Sequence, residues 1–288
     1  MKLALGTVQF GMDYGVANTK GRVSSQEVSV ILQRAQDYGI DMLDTGISYG
    51  DSEIVLGQLG IEKWKTITKL PAVPNDCIDI AQWVKEQTNL SMARLGLTQL
   101  YGILLHRPSQ LMESMGQNLY AALHAIKDQG LTCKIGVSIY GLDELSTLFD
   151  HYSFDLVQSP LNIFDRGLVE SGWANQLKNA GVEVHTRSSF LQGLLLMEPG
   201  QRPTKFNRWN DIWNLWDSWL RRENLTPIQA CLRYVHNLSE IDRIVVGVDS
   251  IDQLNQILEA VNGDMPNLTE LNILQDKRLI NPVNWSQF

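Results

Sequence analysis

Four polar residues stand at the ends of short apolar runs or just past one. Asp44 ends the run in "IDMLDT", Lys69 that in "KTITKL" and His106 that in "YGILLH", while Tyr49 follows Asp44 in the glycine-bracketed loop "TGISYG". Together they offer a carboxylate, an amine, an imidazole and a phenol. A free tyrosine titrates near pH 10, so near neutrality it is a poor donor to anything weakly basic. An adjacent ammonium favours the phenolate and makes a phenol the stronger acid. A lysine does this only while charged, and burial tends to strip its proton. A carboxylate partner such as Asp44 keeps Lys69 ionised and limits the desolvation cost. His106 can then hold a substrate oxygen against the phenol. Such a group protonates a carbonyl oxygen as charge develops there, a contribution of roughly 10² to 10⁴ in rate. Reduction also needs an electron source, and hydride from a nicotinamide is the usual one. Taken singly, each residue has a plain structural use: a turn cap, a snorkelling lysine, a satisfied core histidine, a loop aromatic. Their joint placement is what points to a site.

The elements that must position them recur. Eight short strand-like runs follow one another: "KLALGT", "IDMLDT", "KTITKL", "YGILLH", "CKIGVS", "FDLVQS", "VEVHTRS" and "DRIVVGV". Between most of them lie stretches with helical i, i+3, i+4 spacing, such as "VSVILQRAQDYG" after Ser24 and Ser25 and "IAQWVKEQTNLSMARLG" after Asn75 and Asp76. Strand and helix alternating eight times within 288 residues predict a single-domain (β/α)₈ barrel over residues 1–288. An open doubly wound sheet alternates in the same way. It would carry a G-x-G-x-x-G turn after its first strand, and the glycines there fall at 6, 11 and 15, the wrong spacing. In a barrel the site lies at the C-terminal rim of the strands, where Asp44, Lys69 and His106 are expected to meet.

Composition narrows the partners. With 44% hydrophobic and 19% charged residues the chain is of ordinary globular type, and a formal net charge of −8 without a Lys/Arg cluster argues against nucleic acid as a partner. Cys77, Cys133 and Cys231 form no C-x-x-C pair, so neither a disulfide framework nor a metal site is expected. The N-terminal apolar run is too short for a signal segment, and no run suits a membrane span; a cytoplasmic protein is expected. In "RWNDIWNLWDSWLRREN" a stripe of Trp209, Trp213, Trp216 and Leu220 predicts an outer helix packing on the barrel. The loop before it, Met197 to Asn207, is either a connection or a flap over the site.

These motifs resemble the aldo-keto reductase superfamily, (β/α)₈ barrels that use NADPH or NADH. "LDTGISYGDSE" is similar to its D-T-A-x-x-Y-G-x-S-E signature, and "ITKL" and "LLHRP" to its T-K and L-L-H strand ends. "IGVSIY", "VQSPLN", "RSSFLQGLL" and "VVGVDSIDQL" resemble further segments in the expected order. The likeness runs from about Gly6 to Leu258. It is closest to bacterial members associated with sugar or polysaccharide metabolism. The resemblance implies that Asp44, Tyr49, Lys69 and His106 are the catalytic tetrad for reducing a small-molecule aldehyde or ketone, a sugar or an anionic carbonyl among them. It also implies that Ser138 and Gln158 bond the nicotinamide carboxamide. Gly193 and Leu194 would lie along the pyrophosphate. Gly247, Ser250 and Gln253 would border the adenosine end, and Gly6 and Thr7 the same cofactor. The chain departs from the family at several points. Ile139 stands at the usual Asn, Ile257 replaces a downstream asparagine, and no floor hairpin precedes strand one. Arg187 takes the place of a tyrosine stacked on the nicotinamide; it can stack there itself or, with Arg107, meet an anionic substrate. Asp249 replaces a cation for the 2′-phosphate, so the cofactor is expected to be NADP(H) or NAD(H) with little 2′-phosphate preference. A nucleotide-binding regulatory or redox-sensing barrel is the alternative reading. An isomerase or lyase is a third, without a phosphate-gripping loop or metal constellation to support it.

Overall fold

The computed structural model describes residues 1–268, 271 and 276–287. Eight parallel strands close in sequence order: β1 (Leu3–Gly6), β2 (Met42–Asp44), β3 (Lys65–Leu70), β4 (Leu100–Leu105), β5 (Thr132–Ser138), β6 (Leu156–Pro160), β7 (Glu183–Arg187) and β8 (Arg243–Gly247). The last returns to the first through pairs from Leu3↔Ile244 to Gly6↔Gly247. The helices are α1 (Val8–Gly11), α2 (Ser25–Asp37), α3 (Ser52–Leu59), α4 (Ile80–Leu95), α5 (Gly116–Asp128), α6 (Asp143–Phe149), α7 (Gly167–Glu170), α8 (Trp173–Asn179), α9 (Asn210–Glu223), α10 (Pro227–His236), α11 (Ile251–Ala260) and α12 (Lys277–Ile280). The expected (β/α)₈ barrel is therefore the observed one. No helix among the described residues is long and apolar enough to cross a membrane.

Local chemistry sets the helix starts. Ser24 caps α2 by accepting from the Glu27 amide, and Thr226 and Gln229 form a capping box on α10 with Pro227 at its first position. α4 begins at Ile80, where the helical stretch read from the sequence begins, though neither Asn75 nor Asp76 caps it. Its cap is Asp79, whose carboxylate accepts from the Gln82 amide at 2.9 Å. The tryptophan helix starts later than expected. Trp209 precedes α9, and the buried stripe is Trp213, Trp216, Trp219 and Leu220.

Inside the barrel, Ala4, Met42, Ile67, Leu104, Leu156 and Val245 form an apolar layer separate from the outer core. Side chains alternate between faces along a strand, so the residue two places further on points inward one layer higher. Those residues are Gly6, Asp44, Lys69, His106, Gln158 and Gly247. A period of two thus lays the polar layer directly on the apolar one.

The opposite end of the barrel is closed by a polar cluster. The Glu183 carboxylate accepts from the Tyr101 hydroxyl at 2.8 Å, contacts His185 Nε2 at 2.8 Å and pairs with the Lys134 ammonium. Burial works to raise the pKa of Glu183, but the bonds from His185 and Lys134 outweigh it and hold the carboxyl at about 2. Its folded-state pKa lies below the ordinary 4.5, so the stabilisation is present above that pH and is lost as the pH falls towards 2. The thermal midpoint is expected to drop across this window, and Glu183→Gln, less stable at pH 7, should drop less. Parallel acid slopes for the two proteins would show that other carboxylates carry the effect.

Candidate active site

Asp44 is the last residue of β2, Lys69 the penultimate residue of β3 rather than its end, and His106 the first residue beyond β4. Tyr49 sits in the loop between β2 and α3, which is tied down on both sides. The Ser52 hydroxyl donates to the Thr7 carbonyl at 2.8 Å, and the buried Glu53 carboxylate accepts from Thr68 at 2.7 Å and Ser91 at 2.6 Å while pairing with Arg94 at 2.7 Å. α1 packs on this loop at Gly11, where a Cβ would stand 1.9 Å from the Tyr49 carbonyl oxygen; any side chain there would displace the tyrosine.

The four side chains converge. Lys69 Nζ donates to Asp44 Oδ1 at 2.6 Å and to the Thr45 carbonyl at 2.9 Å, with the Tyr49 hydroxyl as a further polar neighbour and the Tyr49 ring centroid at 5.0 Å. The rings of Tyr49 and His106 meet edge to face with centroids 6.0 Å apart. Burial pulls the Lys69 amine towards losing its proton, yet Asp44 and Tyr49 more than offset this and raise its pKa, so the ammonium persists. His106 goes the other way. Burial, then the charges of Lys69 and Arg187, lower it to about 4 against a weaker opposing pull from Asp44. Near neutrality its imidazole is uncharged.

Asp44, Tyr49 and His106 line a cavity of about 990 Å³, and Lys69 is sealed behind them. Gly6, Thr7, Ser138, Arg187, Gly193, Gly247, Asp249 and Gln253 border the same space. Gln158, Leu194 and Ser250 do not. Gln158 is fully buried and turned towards Asp44, whose Oδ2 accepts from its amide at 2.6 Å. Leu194 is buried in a 3₁₀ turn, and the Ser250 hydroxyl caps α11 by accepting from the Gln253 amide. Arg187 donates to the Ile139 carbonyl at 3.0 Å and lies over the Tyr140 ring at 4.7 Å. Arg107 lies outside the cavity and pairs with Glu113 at 3.0 Å, so the alternative in which it joins Arg187 in facing an anionic substrate is not the arrangement observed.

Several wall residues carried no local signal in the sequence: Gln9, Tyr14, Tyr140, Asp165 and Ser189, and the segment from Ile280 to Val283. Asp165 follows an Asn162 turn in which the Asn162 side chain accepts from the Phe164 and Asp165 amides, both at 2.9 Å. Burial pushes its carboxyl up to about 6, opposed by the Gly167 amide and Arg187. The Met197 to Asn207 loop contributes Met197, Gln201 and Pro203 to the wall. Arg202 pins it through two bonds to Asp217, at 2.7 and 3.0 Å.

The walls suit a dinucleotide. Ser188, Leu191, Gln192 and Gly193 all adopt positive φ, and a Cβ on Gly193 would stand 2.5 Å from that of Ala17. Among the described residues the amides of Ser189, Phe190 and Gln192 meet no carbonyl acceptor, which leaves donors for a phosphate. Gln9 Oε1, Ser189 Oγ and Asp249 Oδ1 are buried without partners along the same wall. Among the described residues no group of three or more His, Cys, Asp or Glu is placed to hold a metal ion.

Comparison with known proteins places this barrel in a class of oxidoreductases. The sequence profile of the aldo/keto reductase family matches residues 2–272, and the chain belongs to that family. The family acts on small carbonyl substrates and generally uses NAD(P)H. Among solved structures, the holo form of an aldo-keto reductase from Bacillus halodurans superposes with a TM-score of 0.72 at 18% identity, covering 94% of this chain and 89% of that one. A putative aldo-keto reductase from Pseudomonas aeruginosa gives 0.66 at 20% identity, covering 90% and 89%. At these identities the likeness is one of fold. No curated protein matches the chain at a significant level.

The electrostatics of the rim can be tested directly. In a proton NMR titration assigned by His106→Gln, the His106 ring should stay neutral until the pH falls to about 4. A midpoint above 6 would mean that solvent reaches the imidazole and screens Lys69 and Arg187.

Proposed function

We propose that this chain reduces an aldehyde or ketone to the alcohol with Tyr49 as the proton donor. NAD(P)H, when bound, supplies the hydride. The neutral imidazole of His106 donates a hydrogen bond to the carbonyl oxygen and holds it towards Tyr49. As negative charge gathers on that oxygen, the Tyr49 hydroxyl transfers its proton. The Lys69 ammonium stabilises the phenolate left behind, and Asp44 keeps the ammonium charged while the site is dry. One observation carries this reading: a buried lysine bonded at 2.6 Å to a buried carboxylate, with a cavity-lining tyrosine as a further polar neighbour. The test is turnover of 4-nitrobenzaldehyde followed by loss of cofactor absorbance. Tyr49→Phe should lower kcat/KM by roughly 10² to 10⁴ while cofactor fluorescence quenching is retained. Undiminished turnover in that variant would remove Tyr49 from the chemistry, and quenching without turnover in the parent would favour a nucleotide-sensing barrel.

Ser138, Arg187, Gly193, Gly247, Asp249 and Gln253 border the proposed cofactor site, together with Gly6 and Thr7. Asp249 decides the expected cofactor preference. Its amide is held by Gln253 Oε1 at 2.7 Å, and its Oδ1 is buried without a partner. A carboxylate there repels a 2′-phosphate but accepts a hydrogen bond from a ribose 2′-hydroxyl. The kcat/KM with NADPH should therefore exceed that with NADH by no more than about tenfold. An advantage for NADPH of about a hundredfold would mean that a cation, with Lys20 the nearest candidate to Asp249, forms a phosphate site.

A further inference from the structure

The loop that carries Tyr49 is fastened to β3 at both of its ends. On entry the Thr45 amide donates to the Ile67 carbonyl at 2.8 Å and the Ile47 amide to the Lys69 carbonyl at 3.2 Å. On exit the link is made by side chains, Thr68 Oγ1 donating to Glu53 Oε1 at 2.7 Å. Three consecutive strand residues thus hold one loop. Ile67 and Lys69 point into the barrel, so Thr68 points outward to the helices, where Glu53 stands in the first turn of α3. The buried Glu53 carboxylate takes two further bonds from α4: Ser91 donates to the same Oε1 at 2.6 Å, and Arg94 Nε to Oε2 at 2.7 Å.

We propose that Thr68 is a positioning residue for proton transfer: through Glu53 it fixes the loop of Tyr49 in register with the strand that bears Lys69. This rests on the reductase reading above. Lys69 is the next residue along the strand, so a bond at Thr68 ties the loop of the phenol to the backbone that carries the ammonium. Without that hydroxyl the exit end keeps its hold on β1, through Ser52, and on α4, but loses β3. A small misplacement of a reacting group costs up to roughly 10²-fold in rate. Thr68 and Ser91 form a matched pair. Both hydroxyls are buried and both donate to one carboxylate oxygen, yet only Thr68 belongs to the strand of Lys69; no residue of α4 lines the cavity.

Thr68→Val keeps the shape and removes the hydroxyl, and Ser91→Ala removes the matched one. With 4-nitrobenzaldehyde, Thr68→Val should lower kcat about tenfold, while KM for the aldehyde and Kd for NADPH from fluorescence quenching change less than about threefold. Ser91→Ala should keep kcat within about twofold of the parent, and Thr68→Ser, which restores the donor, within about threefold. A second readout needs no turnover. The ¹⁵N NMR signal of the Lys69 ammonium, identified by its loss in Lys69→Met, senses the Tyr49 hydroxyl and is displaced in Tyr49→Phe. It should move in the same direction in Thr68→Val and stay in place in Ser91→Ala. A parent protein without turnover would defeat the reductase reading alone, since the signal still reports the link between loop and strand. Equal losses of kcat in Thr68→Val and Ser91→Ala, or in Thr68→Val and Thr68→Ser, would assign the effect to packing and overturn the proposal. A parental kcat or an unmoved Lys69 signal in Thr68→Val would overturn it too. Should Thr68→Val fail to fold, Thr68→Cys keeps the volume with a weaker donor; a loss of about threefold is expected, and none would refute the link.

Discussion

The structure turns on keeping one ammonium charged inside a protein. Lys69 is 1% exposed, and an isolated charge there would be expelled or neutralised. It survives because Asp44 lies 2.6 Å away, the Thr45 carbonyl takes a second proton, and Asp44 is satisfied on its far side by Gln158. Such pairs bring little net stability. Removing one partner leaves the other buried and uncompensated, at roughly 3 to 5 kcal/mol. A chain that holds this pair therefore needs a surrounding that satisfies every remaining donor and acceptor, and the barrel rim supplies it.

The barrel supplies it through strand periodicity. Each inward residue of the apolar layer is followed two places later by a residue of the site, so the hydrophobic plug and the polar layer come from the same strands. The pattern also explains an asymmetry of the rim. β2 to β6 project Asp44, Lys69, His106, Ser138 and Gln158, whereas the paired positions on β1 and β8 are Gly6 and Gly247. Polar groups crowd one side, and on the other the absence of side chains leaves room against the wall.

Most of this was legible in the residues, and what was not has a physical reason. The runs gave all eight strands because parallel strands buried on both faces are apolar throughout, and the tetrad stood out because polar residues interrupt those runs at one end. Lys69 was placed one residue too far along, since a run's last apolar residue, Leu70, still pairs in the sheet. The bond from Gln158 to Asp44 was not legible, because the partner of a buried amide lies 114 residues away and spacing says nothing about it. Tyr14, Tyr140, Asp165 and the stretch from Ile280 to Val283 reach the cavity from loops, where neither alternation nor helical spacing marks an inward face.

One field sorts the two basic groups of the site in opposite directions. Lys69 is buried and His106 half-buried, and burial disfavours the charged form of each. Lys69 keeps its proton because the carboxylate of Asp44 touches it. His106 loses its proton because Asp44 reaches it only as a weaker influence, while the charges of Lys69 and Arg187 both oppose a third cation. Lysine starts from the higher ordinary pKa, 10.5 against 6.5, and the contact with Asp44 preserves that gap inside the protein. On the proposed mechanism a charged His106 would compete with Tyr49 as the acid, and burial with the charges of Lys69 and Arg187 keeps the histidine from taking that part.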